Sequence, residues 1–501
     1  MKTIIPILLS VLLLGACAQH KSNETKKAII TGQVSNFETV SEHDVIQLVY
    51  EDILAGQIIL PDYPDKNGRF RFELELDYPT EFYLKYSGLL TFYISPGDSL
   101  HFDIDGACWN KKTNTTAEEY AFYSVSGTAE KMNQDITAYV VYYSDSLQDR
   151  KEQDSMIRNA SPEEYKRYEE KVAEERMNRA EAFNTTHNTC KQFQEWLPMK
   201  IKFDKYENLM RYRWLQAMHK QKDPNDFITS VPAEYFDFLN EWDKDNTAYL
   251  VSTSFLNFLS EYDMYLFQLI PSDSLQLVQQ LYATDFEKSM SIPLRYLKDV
   301  EKGFVKDVLL SKFYYRLLDT KNYENMGSLY HPEFIDNADL KFRVEKKYNQ
   351  EKALFEHPEY ATGSKINTLS DENDYLARLV EKYPDNVIYI DFWAPWCGPC
   401  MGEMPNSKKI KKQFEGKDVV FVYLANQCTE SAWKTTIADQ KIEGEHYLLN
   451  DKQFAQLGQI FGIQGIPHYA LIDKKGKIIS YNAPRPGSGN ELVKLIEANL
   501  N

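Results

Sequence analysis

The run from Val387 to Cys400 constrains the fold of this chain more than any other stretch. Val387, Ile388, Tyr389 and Ile390 are apolar without alternation, and a strand with no polar face requires cover on both sides, as in a parallel sheet flanked by helices. The segment Trp396-Cys397-Gly398-Pro399-Cys400 follows and opens the next helix. The remaining signals from Gly363 onward keep the same alternation of strand and helix. A helix is expected at about Glu372 to Lys382, strands at Val387 to Phe392 and Val419 to Leu424, and a helix after Thr429. A short strand at Tyr447 to Leu449 and a helix from about Asp451 to Phe461 come next, and Gly465-Ile466-Pro467 leads into a strand at Tyr469 to Ile472. Asp473-Lys474-Lys475-Gly476 turns the chain back into Lys477 to Tyr481, and a last helix runs from Glu491 to about Asn499. Residues 363–501 therefore read as one α/β domain.

A chain of 501 residues exceeds what one hydrophobic core usually supports. Ahead of the α/β domain the period changes twice. Between Ala28 and about Ala107 it is two: Phe70, Phe72, Leu74 and Leu76 alternate with Arg71, Glu73, Glu75 and Asp77, and Leu100, Phe102 and Ile104 alternate with His101, Asp103 and Asp105. With turns at Asn67-Gly68 and Pro96-Gly97 this predicts an antiparallel β-sandwich over residues 28–110. From 111 to 362 the signals are mainly helical, with start marks at Ser161-Pro162-Glu163-Glu164, Pro232-Ala233-Glu234 and Ser291-Ile292-Pro293. The aromatic stripes there, such as Tyr314 and Tyr315 beside Phe304, Val308 and Leu309, are read as core. No chemistry of its own is legible in this middle region.

Lys2, the apolar run Ile4 to Leu14 and the string Leu14-Gly15-Ala16-Cys17 resemble a lipoprotein signal peptide over residues 1–17, with Cys17 as the lipidated residue. The apolar run is too short to span a bilayer. Residues 18–27 read as a flexible tether. A cell-envelope, lipid-anchored and periplasm-facing protein is what that resemblance implies. The formal charge of −17 argues against nucleic acid as a partner.

The ten residues Asp391-Phe392-Trp393-Ala394-Pro395-Trp396-Cys397-Gly398-Pro399-Cys400 resemble the thioredoxin superfamily, from about Gly363 to the C-terminus. Glu403 and Pro405, completing Cys-Met-Gly-Glu-Met-Pro, are similar to the TlpA/ResA-like envelope branch, and the β domain, variable middle and thioredoxin-like end together resemble Bacteroidetes-type lipoproteins. The family's usual lead-in and hairpin before the first helix are absent, replaced by Ser370-Asp371-Glu372. The resemblance implies thiol–disulfide exchange, with Cys397 attacking and Cys400 resolving. It offers two carboxylates, Asp391 and Glu403, as acceptors of the Cys400 proton, without ranking them. Pro467 matches the family's cis-proline, with Ile466 offering a backbone edge to substrate. Trp396, Gly398 and Pro399 complete the substrate-facing rim, and the Gly-Pro dipeptide favours a reducing couple near about −270 mV. The implied partners are disulfide-bonded exported proteins and a membrane thiol-relay transporter as electron donor. No cofactor or metal is called for.

The same dithiol chemistry also serves an oxidase or isomerase, and a third reading is an envelope binding lipoprotein with a scaffold thioredoxin domain. Three further cysteines remain, Cys108, Cys190 and Cys428. A Cys108–Cys190 bridge is weighed against buried inert thiols, which are commoner. A zinc site from Cys397, Cys400, Cys428 and His446 fits poorly with the Gly-Pro spacer.

Overall fold

A computed structural model describes residues 26–500, apart from 37–45, 63, 86–88, 110–121, 143–145, 221–230, 283, 322 and 370–373. The leader with Cys17, the lead-in Ser370-Asp371-Glu372 and the side chain of Cys108 lie outside the described residues. Among the described residues no helix is long and apolar enough to cross a membrane.

The first eight strands are β1 Lys26–Ser35, β2 Ile46–Asp52, β3 Gly56–Asp62, β4 Arg69–Leu76, β5 Thr80–Lys85, β6 Leu89–Ile94, β7 Ser99–Asp105 and β8 Tyr123–Gly127. They form two four-stranded sheets of order β4-β1-β7-β8 and β3-β2-β5-β6. The alternation places the side chains as expected: Phe70, Phe72, Leu74 and Leu76 are buried while Arg71, Glu73 and Glu75 face water. Ile30, Phe72 and Phe102 of the first sheet share one apolar cluster with Leu48, Phe82 and Phe92 of the second. The Phe92 and Phe102 rings lie 4.5 Å apart between centroids.

Three details depart from the expectation. Strand β1 begins at Lys26, inside the expected tether, because Lys26 and Lys27 already pair with Leu76 and Glu75 and the Lys27 ammonium reaches Glu73 at 3.1 Å. The β1–β7 pairing is parallel rather than antiparallel. Alternation dictates which face of a strand is buried but carries no information on the direction of a partner some seventy residues away. Strand β8 lies beyond residue 110 and completes the first sheet against β7, with only Val125 of its five residues buried. So short a half-buried strand carries almost no periodic signal.

Helices α1 Glu130–Tyr142, α2 Ser146–Asn159, α3 Pro162–His187, α4 Lys191–Lys220, α5 Thr253–Gln268, α6 Ser272–Tyr282, α7 Phe286–Val300, α8 Gly303–Asp319 and α9 Ala338–Glu356 follow. The capping box at Ser161 is present: Glu164 N–H donates to Ser161 Oγ, and the Glu164 carboxylate accepts from Ser161 N–H at 2.8 Å. Pro232 precedes a 3₁₀ segment, Ala233–Asn240, instead of an α-helix. Pro293 lies inside α7 rather than at its start, because Asp285 caps that helix two turns earlier by accepting Lys288 N–H at 3.0 Å. The aromatic stripes are core, with Tyr314, Val308 and Leu309 fully buried.

Polar side chains tie the helices to the second sheet, Asn133, Glu81 and Arg343 among them. Asn133 of α1 is fully buried, accepts Tyr93 N–H at 2.7 Å and donates to the carbonyls of Tyr93 and Ala129, both at 2.9 Å. It thereby satisfies the outer edge of β6, against which no further strand pairs among the described residues. Asn133→Ala leaves the Tyr93 amide and carbonyl desolvated and unpartnered, at about 1–3 kcal/mol for each such group. The expected result is a loss of about 3 kcal/mol, seen as a lowered urea midpoint at unchanged slope.

The C-terminal domain is a six-stranded sheet of order β14-β13-β10-β11-β12-β9. Its strands are β9 Ser364–Asn367, β10 Val387–Trp393, β11 Val419–Ala425, β12 Gly444–Leu448, β13 His468–Ile472 and β14 Ile478–Ser480. Its helices are α10 Tyr375–Lys382, α11 Gly398–Gln413, α12 Glu430–Asp439, α13 Asp451–Phe461 and α14 Asn490–Glu497. Strand β10 lies inside the sheet, parallel to β11 and antiparallel to β13, and all seven of its residues are buried. Strand β9 has no counterpart in the sequence reading: its four residues are half exposed and gain strand character only by pairing with the edge of β12. Helix α10 begins at Tyr375, capped by Asp374, which accepts Ala377 N–H at 3.1 Å.

Candidate active site

Strand β10 delivers the site. Its last residues are Asp391, Phe392 and Trp393, the chain turns through Ala394, Pro395 and Trp396, and α11 starts at Gly398 with Cys397 as its N-cap. Cys397 and Cys400 form a disulfide with Cα atoms 5.2 Å apart. Cys400 N–H points at Cys397 Sγ across 3.2 Å, so the first cysteine occupies the place where a helix offers unpaired amides and the positive end of its dipole. Cys397 is 4% exposed and Cys400 1%. Both cysteines of the disulfide are buried, Cys397 slightly less completely than Cys400.

The two tryptophans, equivalent in sequence, are separated by the fold. Trp393 is fully buried, whereas Trp396 is 53% exposed and is held at the rim by donating from Nε1 to the Gln427 carbonyl at 2.9 Å. Gly398 and Pro399 are exposed beside it. The loop before β13 returns to the same place: the Ile466–Pro467 peptide is cis, and Ile466 packs against the apolar cluster that contains Cys397 and Cys400.

The two carboxylates occupy opposite environments. Asp391 is buried and neither of its oxygens has a hydrogen-bond partner. Burial first, and the nearby Glu403 charge second, hold its carboxyl well above the usual carboxylate range. Glu403 is not on a free helix face. It accepts Gly487 N–H at 2.7 Å and the Asn406 amide at 3.3 Å, with Arg485 at 3.9 Å. A side chain at Gly487 would place its Cβ 3.0 Å from both Glu403 oxygens, so the carboxylate would have to give way by a few tenths of an ångström to admit one. Below Asp391 the Tyr389 ring stacks on Tyr469 at 5.7 Å, and the Tyr469 hydroxyl is buried without a partner.

Sequence reasoning passed over Gly487, Asn406, Arg485, Gln427 and Tyr469. Pro484-Arg485-Pro486-Gly487 carries a loop signal and nothing that points eighty residues back to Glu403. Tyr469 begins an expected strand but gives no sign of facing the acid.

The other described cysteines are not bonded to this pair, although Cys428 packs against the same apolar cluster. Cys190 and Cys428 are free thiols, so no Cys108–Cys190 bridge is present. Burial raises the Cys428 thiol to about 12. His446 stacks on Tyr423 and donates from Nε2 to the Ile442 carbonyl at 2.9 Å, and burial keeps it neutral with a pKa of about 4. With Cys397 and Cys400 joined to each other, the zinc quartet is not assembled. Among the described residues no group of three or more His, Cys, Asp and Glu is placed to hold a metal ion.

Comparison with known proteins bears on the same segment. Residues 362–494 match the family model described as Redoxin. A thiol-disulfide oxidoreductase ResA from Bacillus thuringiensis subsp. konkukian is 26% identical over 92 residues, which are 18% of this chain and 51% of the relative. The thioredoxin-like protein YneN of Bacillus subtilis is 24% identical over 131 residues, 26% of this chain and 74% of that protein. The chain spans about half the length of the first of these curated relatives. Among solved structures, the crystal structure of a putative thiol-disulfide oxidoreductase from Bacteroides vulgatus is 36% identical, covering 24% of this chain and 82% of that one at a TM-score of 0.21. A six-stranded sheet with a dicysteine at the head of the helix after its inner strand, and a family match that runs from β9 into α14, lead to one assignment: residues 362–494 form a Redoxin domain, similar to thiol-disulfide oxidoreductases of the ResA kind.

Proposed function

We propose that the chain is a disulfide reductase for exported proteins, working by dithiol–disulfide exchange at Cys397 and Cys400. The observation that carries this reading is the Cys397 sulfur at the N-cap of α11, bonded to Cys400, directly after a strand that buries the Asp391 carboxyl with no hydrogen-bond partner. In the reduced form the Cys397 thiolate attacks one sulfur of a substrate disulfide. A Cys397–substrate disulfide forms and the other substrate sulfur leaves as a thiolate, which takes up a proton. Cys400 then gives its proton to a base and attacks Cys397 Sγ. The intramolecular disulfide forms and the second substrate sulfur leaves as a thiol. Two electrons have passed from the chain to the substrate, and an external dithiol returns them by the same exchange.

Asp391 suits the proton step better than Glu403. Burial raises its pKa well above the usual carboxylate range, which makes it the stronger base of the two, whereas Glu403 is already committed to Gly487 N–H and Arg485. Trp396, Gly398, Pro399 and the Ile466 backbone edge form the surface on which a substrate segment rests. The wider reading follows the sequence: Cys17 lipidated, the protein tethered in the envelope facing the periplasm, re-reduced by a membrane thiol-relay transporter, with the two N-terminal sheets stacked as a β-sandwich spacer below the helical region.

Cys400→Ser tests the exchange. The variant lacks the resolving thiol, so substrates are expected to accumulate on Cys397 as adducts that run as higher bands on denaturing gels and disappear with dithiothreitol. Cells yielding no thiol-sensitive adduct above the wild-type background contradict the proposal. An equilibrium with glutathione that places the couple above about −200 mV replaces the reductase by an oxidase.

A further inference from the structure

The sheet surrounds Asp391 with phenols. Tyr389, Asp391 and Trp393 alternate along β10 with Ile388, Ile390 and Phe392, and the apolar members of the two sets pack into different clusters. Tyr389 and Trp393 share theirs with Cys400, Met404 and Ile410 of α11, so Asp391 faces the layer between the sheet and that helix. Its register partners are Tyr423 of β11 and Tyr469 of β13. Partners across an antiparallel pair, as Asp391 and Tyr469 are, carry their Cβ atoms about 4.5–5.5 Å apart on the same face. From α11 the same layer receives Cys400 and the charge of Glu403, and Arg485 is within electrostatic reach of Tyr469.

Two of the three phenols are committed. Tyr389 donates to the Pro484 carbonyl at 2.8 Å, and the Tyr423 and Ser407 hydroxyls are bonded to each other at 2.6 Å. The Tyr469 hydroxyl is buried without a partner, as are both oxygens of Asp391. The Trp393 indole N–H is unpartnered as well, but of the two donors only the phenol belongs to a register partner of the acid. Buried polar groups are costly to leave unpaired, so a free donor opposite a free acceptor in one layer calls for a reason. Burial first, then the charges of Asp391 and Glu403, raise the Tyr469 phenol well above its ordinary value, so it keeps its proton and remains a donor. In the disulfide form the two groups are not hydrogen-bonded. A neutral carboxyl asks for a donor far less strongly than the anion does.

We infer that Tyr469 is a positioning residue for the proton step: its hydroxyl donates to the Asp391 carboxylate, directly or through one water molecule, and so controls how readily Asp391 takes the Cys400 proton. The inference rests on Asp391 as the acceptor and adds the group that governs it. Cys400 S–H passes its proton to Asp391 and the resulting thiolate attacks Cys397 Sγ, while the phenol keeps its own proton throughout. A donor to the anion favours ionisation, so losing the phenol makes Asp391 ionise at higher pH. The test is made on the full chain: the reduced protein is mixed with a peptide disulfide, and decay of the Cys397 mixed disulfide is followed by acid quench across the neutral and alkaline range. Decay is expected to quicken with pH as Asp391 ionises and then to level. Tyr469→Phe keeps the ring and its stack on Tyr389. It is expected to move that rise up by about one pH unit, a roughly tenfold slower decay on the slope with the plateau little changed. Fluorotyrosine at 469, a stronger donor, is expected to move the rise down. Tyr423→Phe, whose hydroxyl serves Ser407, is expected to leave it in place. A ring that only fills space would alter the rate equally at every pH. A rise that stays put in Tyr469→Phe or, should that variant not fold, in the fluorotyrosine protein overturns the inference while Asp391 stands as acceptor. A rise that persists at the wild-type pH in Asp391→Asn belongs to another group, and both readings fall.

Discussion

Replacing Cys397 with serine is expected to lower kcat/KM for disulfide reduction by at least about a thousandfold, the scale on which loss of a nucleophile is felt. The serine hydroxyl is not ionised at neutral pH and cannot act as the thiolate does. The N-cap position is what distinguishes this cysteine. Helix-terminal stabilisation of an anion amounts to about 0.3–2 kcal/mol, and each 1.4 kcal/mol or so lowers a pKa by about one unit. With the Cys400 amide 3.2 Å from its sulfur, Cys397 gains that stabilisation directly once the disulfide is opened. Cys400 cannot substitute for it, because it is 1% exposed and packed beneath the first turn. Stopped-flow measurement of peptide disulfide reduction checks the loss. A residual rate within tenfold of wild type would mean that Cys400 or another thiol is the attacking group.

Asp391→Asn is expected to slow release of the mixed disulfide about a hundredfold, the lower end of what a positioned proton acceptor contributes. Initial attack by Cys397 should change far less, so adducts accumulate in this variant as they do in Cys400→Ser. The same substitution has a stability signature whose sign follows from burial. The folded-state pKa of Asp391 is raised above the value near 3.8 that it has when exposed. The folded protein therefore holds this proton more tightly than the unfolded chain does. The wild type keeps its full stability below about pH 4 and loses part of it progressively as the pH rises toward the folded-state pKa. Asparagine carries no charge at any of these values. The urea midpoint of Asp391→Asn should thus gain on wild type as the pH rises from about 4 toward the folded-state pKa, with no pH-dependent difference below about pH 4. A flat difference across that range would show that the carboxyl ionises in the fold without penalty and is not the poised base.

The elements of the C-terminal domain were legible in the sequence wherever burial was complete or a cap was explicit. The run from Val387 declares a strand because each residue must be covered. Helix α13 spans the expected Asp451–Phe461, closed by a capping box at Asn450 and a left-handed C-cap at Gly462. What escaped were elements that owe their form to a neighbour: β9, stabilised by the edge of β12, β8, completing a sheet begun a hundred residues earlier, and Pro293, absorbed into a helix capped at Asp285. The dicysteine stood out by its spacing, and the resemblance to the thioredoxin superfamily pointed to the cis-proline position and the two acids. The different surroundings of those acids were not legible. Glu403 is anchored by a glycine amide eighty residues downstream while Asp391 has no partner, and no local pattern encodes either fact.

The sequence by itself determined the chemistry on offer, a dithiol at the head of a helix after a doubly covered strand, because periodicity, caps and motif spacing act over a few residues and are written in consecutive positions. The tertiary structure alone decided which carboxylate is desolvated, which tryptophan reaches the rim and that α8 and α9 stand beside the active-site turn. Those outcomes depend on which distant surfaces exclude water from one another, and exclusion of water is a property of the packed chain rather than of any segment within it.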